Sequence, residues 1–270
     1  MSDWFGVGKL SSETKEIAEM VYPDLLQPTF KKVGHALSDV IGFFAIPATY
    51  LGYQTKKVNF YFDKNLKKYK DKLNDHDEVE IGIVSPEIGV PIIEKLYIVT
   101  SEELADMYTS LLVNASLIEN SKYAHPSFIN VLQNISVDEA KIIHYLTGDN
   151  DPLLFITYLK KEKINFNSSI EKMDDFYLNL TTHIQLNHPE MANFYFLNLE
   201  KLGIIEQTPG VPNTLNNLVS ELSTVINEER IKRETEANVS TDKIDYEVSD
   251  IKGYYILTKY GEEFIKCIKK

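Results

Sequence analysis

Between Asp39 and Lys56 the chain runs sixteen consecutive residues without a charge, Val40 to Thr55, among them Ile41, Phe43, Phe44, Ile46, Tyr50, Leu51 and Tyr53. A run of this kind has to leave water, and few environments accept it. It falls short of the roughly 20 residues that a membrane-spanning helix needs. Two destinations remain open: the middle of a helical domain, where a helix apolar on every side belongs, or the interface of a membrane. Seven lysines follow, Lys56, Lys57, Lys64, Lys67, Lys68, Lys70 and Lys72, diluted by Asp63 and Asp71. At an anionic surface each would contribute about 1 kcal/mol, whereas on an ordinary amphipathic helix they are a solvated face. Phe43, Phe44, Ile46, Tyr50, Leu51, Lys56, Lys57, Lys64, Lys67 and Lys68 are the first candidates for contact with a membrane or a partner.

Charge narrows the partners. The 270 residues carry 28 basic against 40 acidic side chains, a net charge of -12. Nucleic-acid footprints are built by neutralising phosphate, so this balance works against one. Only Arg230 and Arg233 supply guanidinium, which is thin for bidentate recognition. The expected partners are another protein or a second copy of the chain, with peripheral membrane contact as the alternative and nucleic acid disfavoured.

No catalytic constellation emerges. Cys267 is the lone cysteine, so neither an internal disulfide nor a multi-cysteine zinc site can form. His183 and His188 are five apart, off the spacing that puts two ligands on one helical face. No cysteine neighbours His35, His76 or His144, and His76 falls within the acidic turn Asp75-His76-Asp77-Glu78, so none is read as an acid–base catalyst. His125 precedes Pro126 and is expected to set a helix entry. Gly6-Val7-Gly8-Lys9-Leu10-Ser11 mimics the end of a phosphate-binding loop, but Asp3 stands where the leading glycine should be. The reading is therefore a protein that is not an enzyme, without metal or cofactor. Asp3, Glu13, Glu16 and Glu19 do not read as a secretory signal. A reducing cytoplasm is the expected compartment, at the inner face of the membrane should the apolar run insert.

Periodicity predicts a mainly α protein with minor β structure. Ile17, Met20 and Val21 make a first helix capped by Ser11 or Ser12, and Phe30, Val33, Leu37, Ile41 and Phe44 a second between Pro28 and Pro47. Val58, Phe62, Leu66, Tyr69 and Leu73 stripe a third. Val79 to Val84 reads as a strand, and Pro91 as the first residue of a short helix ending near Thr100. Thr100 with Glu103 has capping-box spacing ahead of Leu104, Met107, Leu111 and Leu112, and Ser136 with Glu139 repeats it ahead of Ile142 and Ile143. Pro126 opens a helix between them.

After Gly148 the order changes. A strand over Leu153–Tyr158 precedes a helix through Phe176, Leu178, Leu180 and Ile184, then a Pro189 helix carrying Phe194, Phe196, Leu197, Leu199 and Leu202. Strands at Ile204–Ile205 and Tyr254–Leu257 follow, and Thr258 caps a last helix through Phe264. Helix, strand, helix, helix, strand, strand is the order of a winged helix. The Pro189 helix sits where a recognition helix would, yet Glu190, Asn193, Asn198, Glu200 and Lys201 make a poor surface for phosphate. An N-terminal helical domain, residues 1–134 with the apolar segment 40–53, is thus expected ahead of a winged-helix-like domain, residues 135–270. Its insertion at about 208–250 carries a second stripe, Leu215, Leu218, Leu222, Val225 and Ile226, ending in a charged run from Glu228 to Glu236. A lone amphipathic stripe must be buried against something, so these five are candidates for an interaction arm.

Tyr22-Pro23-Asp24-Leu25-Leu26-Gln27-Pro28, Gly34-His35-Ala36-Leu37, the apolar segment with Pro47, and His125-Pro126-Ser127-Phe128 together resemble the abortive-infection alpha family. Leu202-Gly203-Ile204-Ile205 and Leu257-Thr258-x-x-Gly261-x-x-Phe264 extend the likeness over most of the chain. The resemblance implies a bacterial or mobile-element protein of phage defence, without a catalytic residue set to carry over. Two further readings stay open beside it: a membrane-perturbing effector using residues 40–72, and a winged-helix nucleic-acid-binding regulator.

Overall fold

The computed structural model describes residues 31–37, 39–40, 56–148, 150, 152–163, 170–239 and 246–269. Phe43, Phe44, Ile46, Tyr50 and Leu51 lie outside these, as do the expected first helix, most of the second, and the Gly6–Ser11 motif. The protein is mainly helical with a small antiparallel sheet, in two compact units: described residues up to Val137 with those from Glu263 onward, and Asp138–Glu262.

Helix α1 (Lys31–Ala36) and helix α2 (Lys56–Asn74) open the first unit. The α2 stripe is where periodicity puts it, with Phe62, Leu66, Tyr69 and Leu73 buried. Burying side chains of this size is worth about 1.5–3 kcal/mol each. Asn65 is buried among them, and its amide donates to the carbonyls of Leu96 (2.8 Å) and Val99 (3.0 Å). The hydroxyls of Tyr69 and Ser116 share a 2.6 Å hydrogen bond, and burial pushes the Tyr69 phenol well above its ordinary value.

Two expectations fail beyond α2. Val79–Val84 is not a strand: Glu78–Glu80 forms a 3-10 turn closed by the Glu80 carboxylate on the Asp77 amide, and one bridge, Ile81 to Leu117, follows. An acidic turn satisfied locally competes with a ladder. Helix α3 (Pro86–Leu96) begins five residues before Pro91, with Ser85 as N-cap and Pro86 in its first turn. Starting there buries Ile88 beside Ile92, Ile93 and Leu96, which outweighs the single backbone bond that Pro91 forfeits inside the helix. Helix α4 (Glu102–Ser116) has Ser101 rather than Thr100 at its N-cap position, without a side-chain capping bond, and helix α5 (Pro126–Gln133) follows. The entry of α5 is set by His125, whose Nδ1 accepts from the Ser127 amide at 3.1 Å.

The second unit is built on a sheet. Helix α6 (Val137–Leu146) leads to strand β1 (Leu154–Glu162), the two-residue strands β2 (Glu171–Lys172) and β3 (Phe176–Tyr177), and the single turn α7 (Leu180–His183). The expected helix through Phe176 is thereby cut short, because Phe176 and Tyr177 pair antiparallel with Ile156 and Phe155. A 3-10 turn (Pro189–Met191) runs into helix α8 (Ala192–Lys201), and strand β4 (Ile205–Pro209) follows. Gly203, at φ +74°, turns the chain between them. Its amide bonds Glu200 O at 2.9 Å and that of Ile204 bonds Leu199 O at 3.0 Å, a Schellman closure that favours glycine. Helices α9 (Asn216–Glu221) and α10 (Ser223–Val239) precede strand β5 (Tyr246–Leu257) and helix α11 (Lys259–Ile268).

Strand order is β2-β1-β5-β4, all antiparallel, with β3 beside β2 on the outer edge of β1. Side chains alternate across the pleat, so Ile156, Tyr158 and Val248 share one face while Phe155 and Tyr255 share the other. Leu222 and Ile226 cover the first face, where the Tyr158 hydroxyl donates to Ile226 O at 3.0 Å. Phe196 of α8 covers the second, its ring 4.3 Å from that of Tyr255 and 4.6 Å from that of Tyr177.

Candidate functional site

Aromatic residues crowd α8 on all sides, and the sequence alone does not say which of them face inward. Packing decides it. Ala192, Tyr195, Phe196 and Leu199 are buried, whereas Glu190, Met191, Phe194, Leu197 and Lys201 are exposed. Phe194 keeps 57% of its surface and Leu197 63%, so two large apolar side chains on a well-formed helix face solvent. Two large exposed apolar side chains three residues apart on one helix are a candidate contact point, where a lone exposed leucine would call for no explanation. The sequence put Asn193 and Asn198 on the exposed side with Glu190, Glu200 and Lys201; in the structure the two asparagines are half-buried, and Phe194 and Leu197 stand out beside Glu190 and Lys201.

The asparagines turn inward because polar partners await them. Asn198 donates to the buried Glu139 carboxylate at 2.6 Å. The Asn193 carbonyl accepts from the Asp175 amide at 2.9 Å and from the Tyr177 hydroxyl at 3.3 Å, and its amide donates to Asp175 O at 3.2 Å. Asp138, in the first turn of α6, accepts from the amides of Asn187 and His188, both at 2.8 Å, and from the Tyr195 hydroxyl at 3.1 Å. Burial works to raise the Asp138 carboxyl, and those three donors with the Lys141 ammonium outweigh it, so its pKa ends below the usual carboxylate range. Burial, reinforced by that carboxylate, pushes the Tyr195 phenol up to about 12. Carboxylates on α6 thus clamp both the approach to α8 and the helix itself, and its outward face is held in one orientation.

Behind α8 lies a second polar group. Asp175 accepts from Thr157 Oγ1 at 2.6 Å and from Gln207 Nε2 at 3.3 Å, and Gln207 also donates to the Tyr255 hydroxyl at 3.1 Å. Glu200 is raised above its ordinary value, chiefly by burial and further by Asp175, against the pull of Lys172. A carboxyl raised in the folded state adds stability below its unfolded pKa and loses it as pH climbs through the folded one. Glu200→Gln is therefore expected to stabilise the protein at about pH 7 and leave it unchanged near pH 4. Urea unfolding at the two pH values measures this.

Three lysines of α2 are engaged in ion pairs with α4. Lys64, Lys68 and Lys72 recur every fourth residue on α2, and Glu102 and Asp106 do so on α4. Lys64 and Lys68 (2.7 Å) pair with Glu102, and Lys72 with Asp106 at 2.9 Å and with Ser110 Oγ at 2.6 Å. Hydrogen bonds from Lys64 and Lys68 draw the Glu102 carboxyl down to about 2. Lys67 is exposed; Lys56 and Lys57 open the helix. Among the described residues no helix is long and apolar enough to cross a membrane, and no group of three or more His, Cys, Asp or Glu residues could hold a metal ion.

The stripe of the insertion finds its cover within the second unit. Leu215 and Ile226 are buried, Leu218 and Leu222 half-buried, and Val225 exposed. The stripe is broken at Leu222 into α9 and α10, which lets Val219, Leu222 and Ile226 all reach the sheet. The Arg233 guanidinium lies 4.7 Å from the Tyr158 ring and donates to Asp174 O at 2.6 Å, fastening α10 further along.

These features define a mainly helical protein with a small antiparallel sheet, with Phe194 and Leu197 exposed on α8 and no metal-binding cluster among its described residues. The chain belongs to the abortive infection alpha family, whose pattern matches residues 61–268. No curated protein and no solved structure matches it significantly.

Proposed function

We propose that this protein serves phage defence without catalysis of its own, through contact with protein, either a separate partner or a second copy of the chain, in the bacterial cytoplasm. Family membership supports the defence role. The observation that carries the contact mechanism is the exposed Phe194–Leu197 face, fixed from behind by Asp138, Glu139 and Asp175. A surface held rigid before binding loses less entropy on association, so even a small apolar patch can bind.

A winged-helix origin for the second unit is the finer reading. It is supported by the sequence α6, β1, α7, α8, β4, β5 and by the order β1-β5-β4, with α8 third among the helices. The outward face of α8 and of the turn before it nevertheless offers Glu190 and Lys201 around apolar side chains, and phosphate binding needs a surplus of cations. Contact with protein is the use that this face supports.

Expression in a phage-sensitive host should cut plaque counts for at least one phage of a broad panel, and Leu197→Asp should abolish that protection while leaving expression and melting temperature unchanged. Unchanged counts across the panel would remove the defence reading. Protection that survives Leu197→Asp would remove α8 as the contact. Gel-shift titration on mixed DNA at low salt is expected to show no retardation.

A further inference from the structure

We infer that the occupant of the α8 face is a second copy of the chain, its α8 running antiparallel across a two-fold axis so that Glu190 meets the other copy's Lys201 and Phe194 meets its Leu197. This rests on the contact reading above and names the partner.

The argument is one of self-complementarity. Phe194, Leu197 and Lys201 are separated by three and four residues on α8, the spacing that lines side chains along one side of a helix, and Glu190 lies in the 3-10 turn that runs directly into it. All four are exposed. In chain order they are acid, apolar, apolar, base, and the order is symmetric about its midpoint. Laid antiparallel on itself, it sets each acid against a base and each large apolar side chain against another. Laid parallel, it sets Glu190 on Glu190 and Lys201 on Lys201. A two-fold interface requires a patch complementary to itself, and an antiparallel pair of these helices supplies one from the chain's own residues. The charges also lie at the rim, with the apolar pair between them, as in interfaces generally. Glu190 lies 3.3 Å from the ring of His188, but both are well exposed and the carboxylate is free to swing outward.

The footprint sets the strength. Ten residues of helix, Ala192–Lys201, measure about 15 Å, so the buried area falls in the class of weak, transient interfaces. The dimer is therefore concentration-dependent, with dissociation in the micromolar range and filling only as the protein accumulates.

Sedimentation velocity on the full chain, over about 1–100 µM, tests this. The wild type is expected to pass from monomer to dimer, and Leu197→Asp to stay monomeric with an unchanged melting temperature. Glu190→Lys and Lys201→Glu should each raise the dissociation constant about tenfold or more, since each sets like charges together twice across the axis. The double variant E190K/K201E should return it to within about threefold of wild type. That rescue is specific to the register, and a double variant as weak as the singles would overturn the pairing. A wild type that stays monomeric at the highest concentration would overturn it too. If protection against phage is lost in Leu197→Asp while the wild type is monomeric, the contact mechanism stands and self-pairing falls.

Discussion

Gly261→Ala is expected to destabilise the second unit by at least about 3 kcal/mol, because the added methyl group meets backbone that cannot move aside. A β-carbon at 261 would lie 2.0 Å from the Ile204 carbonyl oxygen, 2.9 Å from its carbon and 3.2 Å from its α-carbon. All three are backbone atoms and cannot rotate aside. Thr258 draws them close, its amide donating to Ile204 O at 3.0 Å and its hydroxyl to Gly203 O. Thr258 Oγ1 then accepts from the Gly261 amide at 2.9 Å, so the cap of α11 and the turn after α8 are one joint. Alanine must either break those bonds or push α11 away from Ile204. Thermal unfolding followed by circular dichroism should show a drop of about 10 °C or more, and a shift under about 2 °C would show that the joint yields. Thr258→Val, which removes the cap without adding bulk, should cost only about 1 kcal/mol.

The two halves of that joint were legible separately, Gly203 as a helix stop and Thr258 as a helix cap, but their meeting was not, since 54 residues separate Ile204 from Thr258. Helix α2 was legible too, since Phe62, Leu66, Tyr69 and Leu73 all obey one period. Other features resisted for physical reasons. Pro91 looked like a helix start, and only the burial of Ile88 shows that the helix begins earlier. Val79–Val84 has strand composition, but the competing bond is local, between Glu80 and Asp77. On α8 the period places Phe194, Tyr195, Phe196 and Leu197 without saying which the sheet will cover. Their direction is fixed by Asp138, Glu139 and Asp175, which lie 18 or more positions away from the α8 groups they bind. Nothing in the neighbourhood of Asp138-Glu139 marks them as inward-facing; an acidic first turn is what any helix would show. The ion pairs between α2 and α4 were likewise hidden, although the shared four-residue step of Lys64, Lys68 and Lys72 and of Glu102 and Asp106 was there to be matched.

Asp138→Ala is the second large loss, expected at about 2–4 kcal/mol. The side chain is 2% exposed, and its removal leaves the amides of Asn187 and His188 and the hydroxyl of Tyr195 without their acceptor. Stranding the buried Tyr195 hydroxyl costs more than the net worth of its bond, because water does not replace the lost oxygen there, while the part-buried amides of Asn187 and His188 lose a charged acceptor. Tyr195→Phe removes one donor along with its own need and should cost about 1 kcal/mol. The pH dependence follows from the direction of the shift. A carboxyl held below its unfolded value contributes stability that is complete above that value, near 3.9, and is lost as pH falls through the folded pKa. The gap between wild type and Asp138→Ala should therefore be constant from about pH 6 to 8 and close in strong acid. The variant should also speed hydrogen exchange at the amides of 187 and 188 and along α8, and weaken protection against phage without touching the exposed face. A melting temperature within about 1 °C of wild type, with exchange on α8 unchanged, would mean that the helix is aimed by Phe196 and Leu199 alone and that the carboxylates on α6 are passengers.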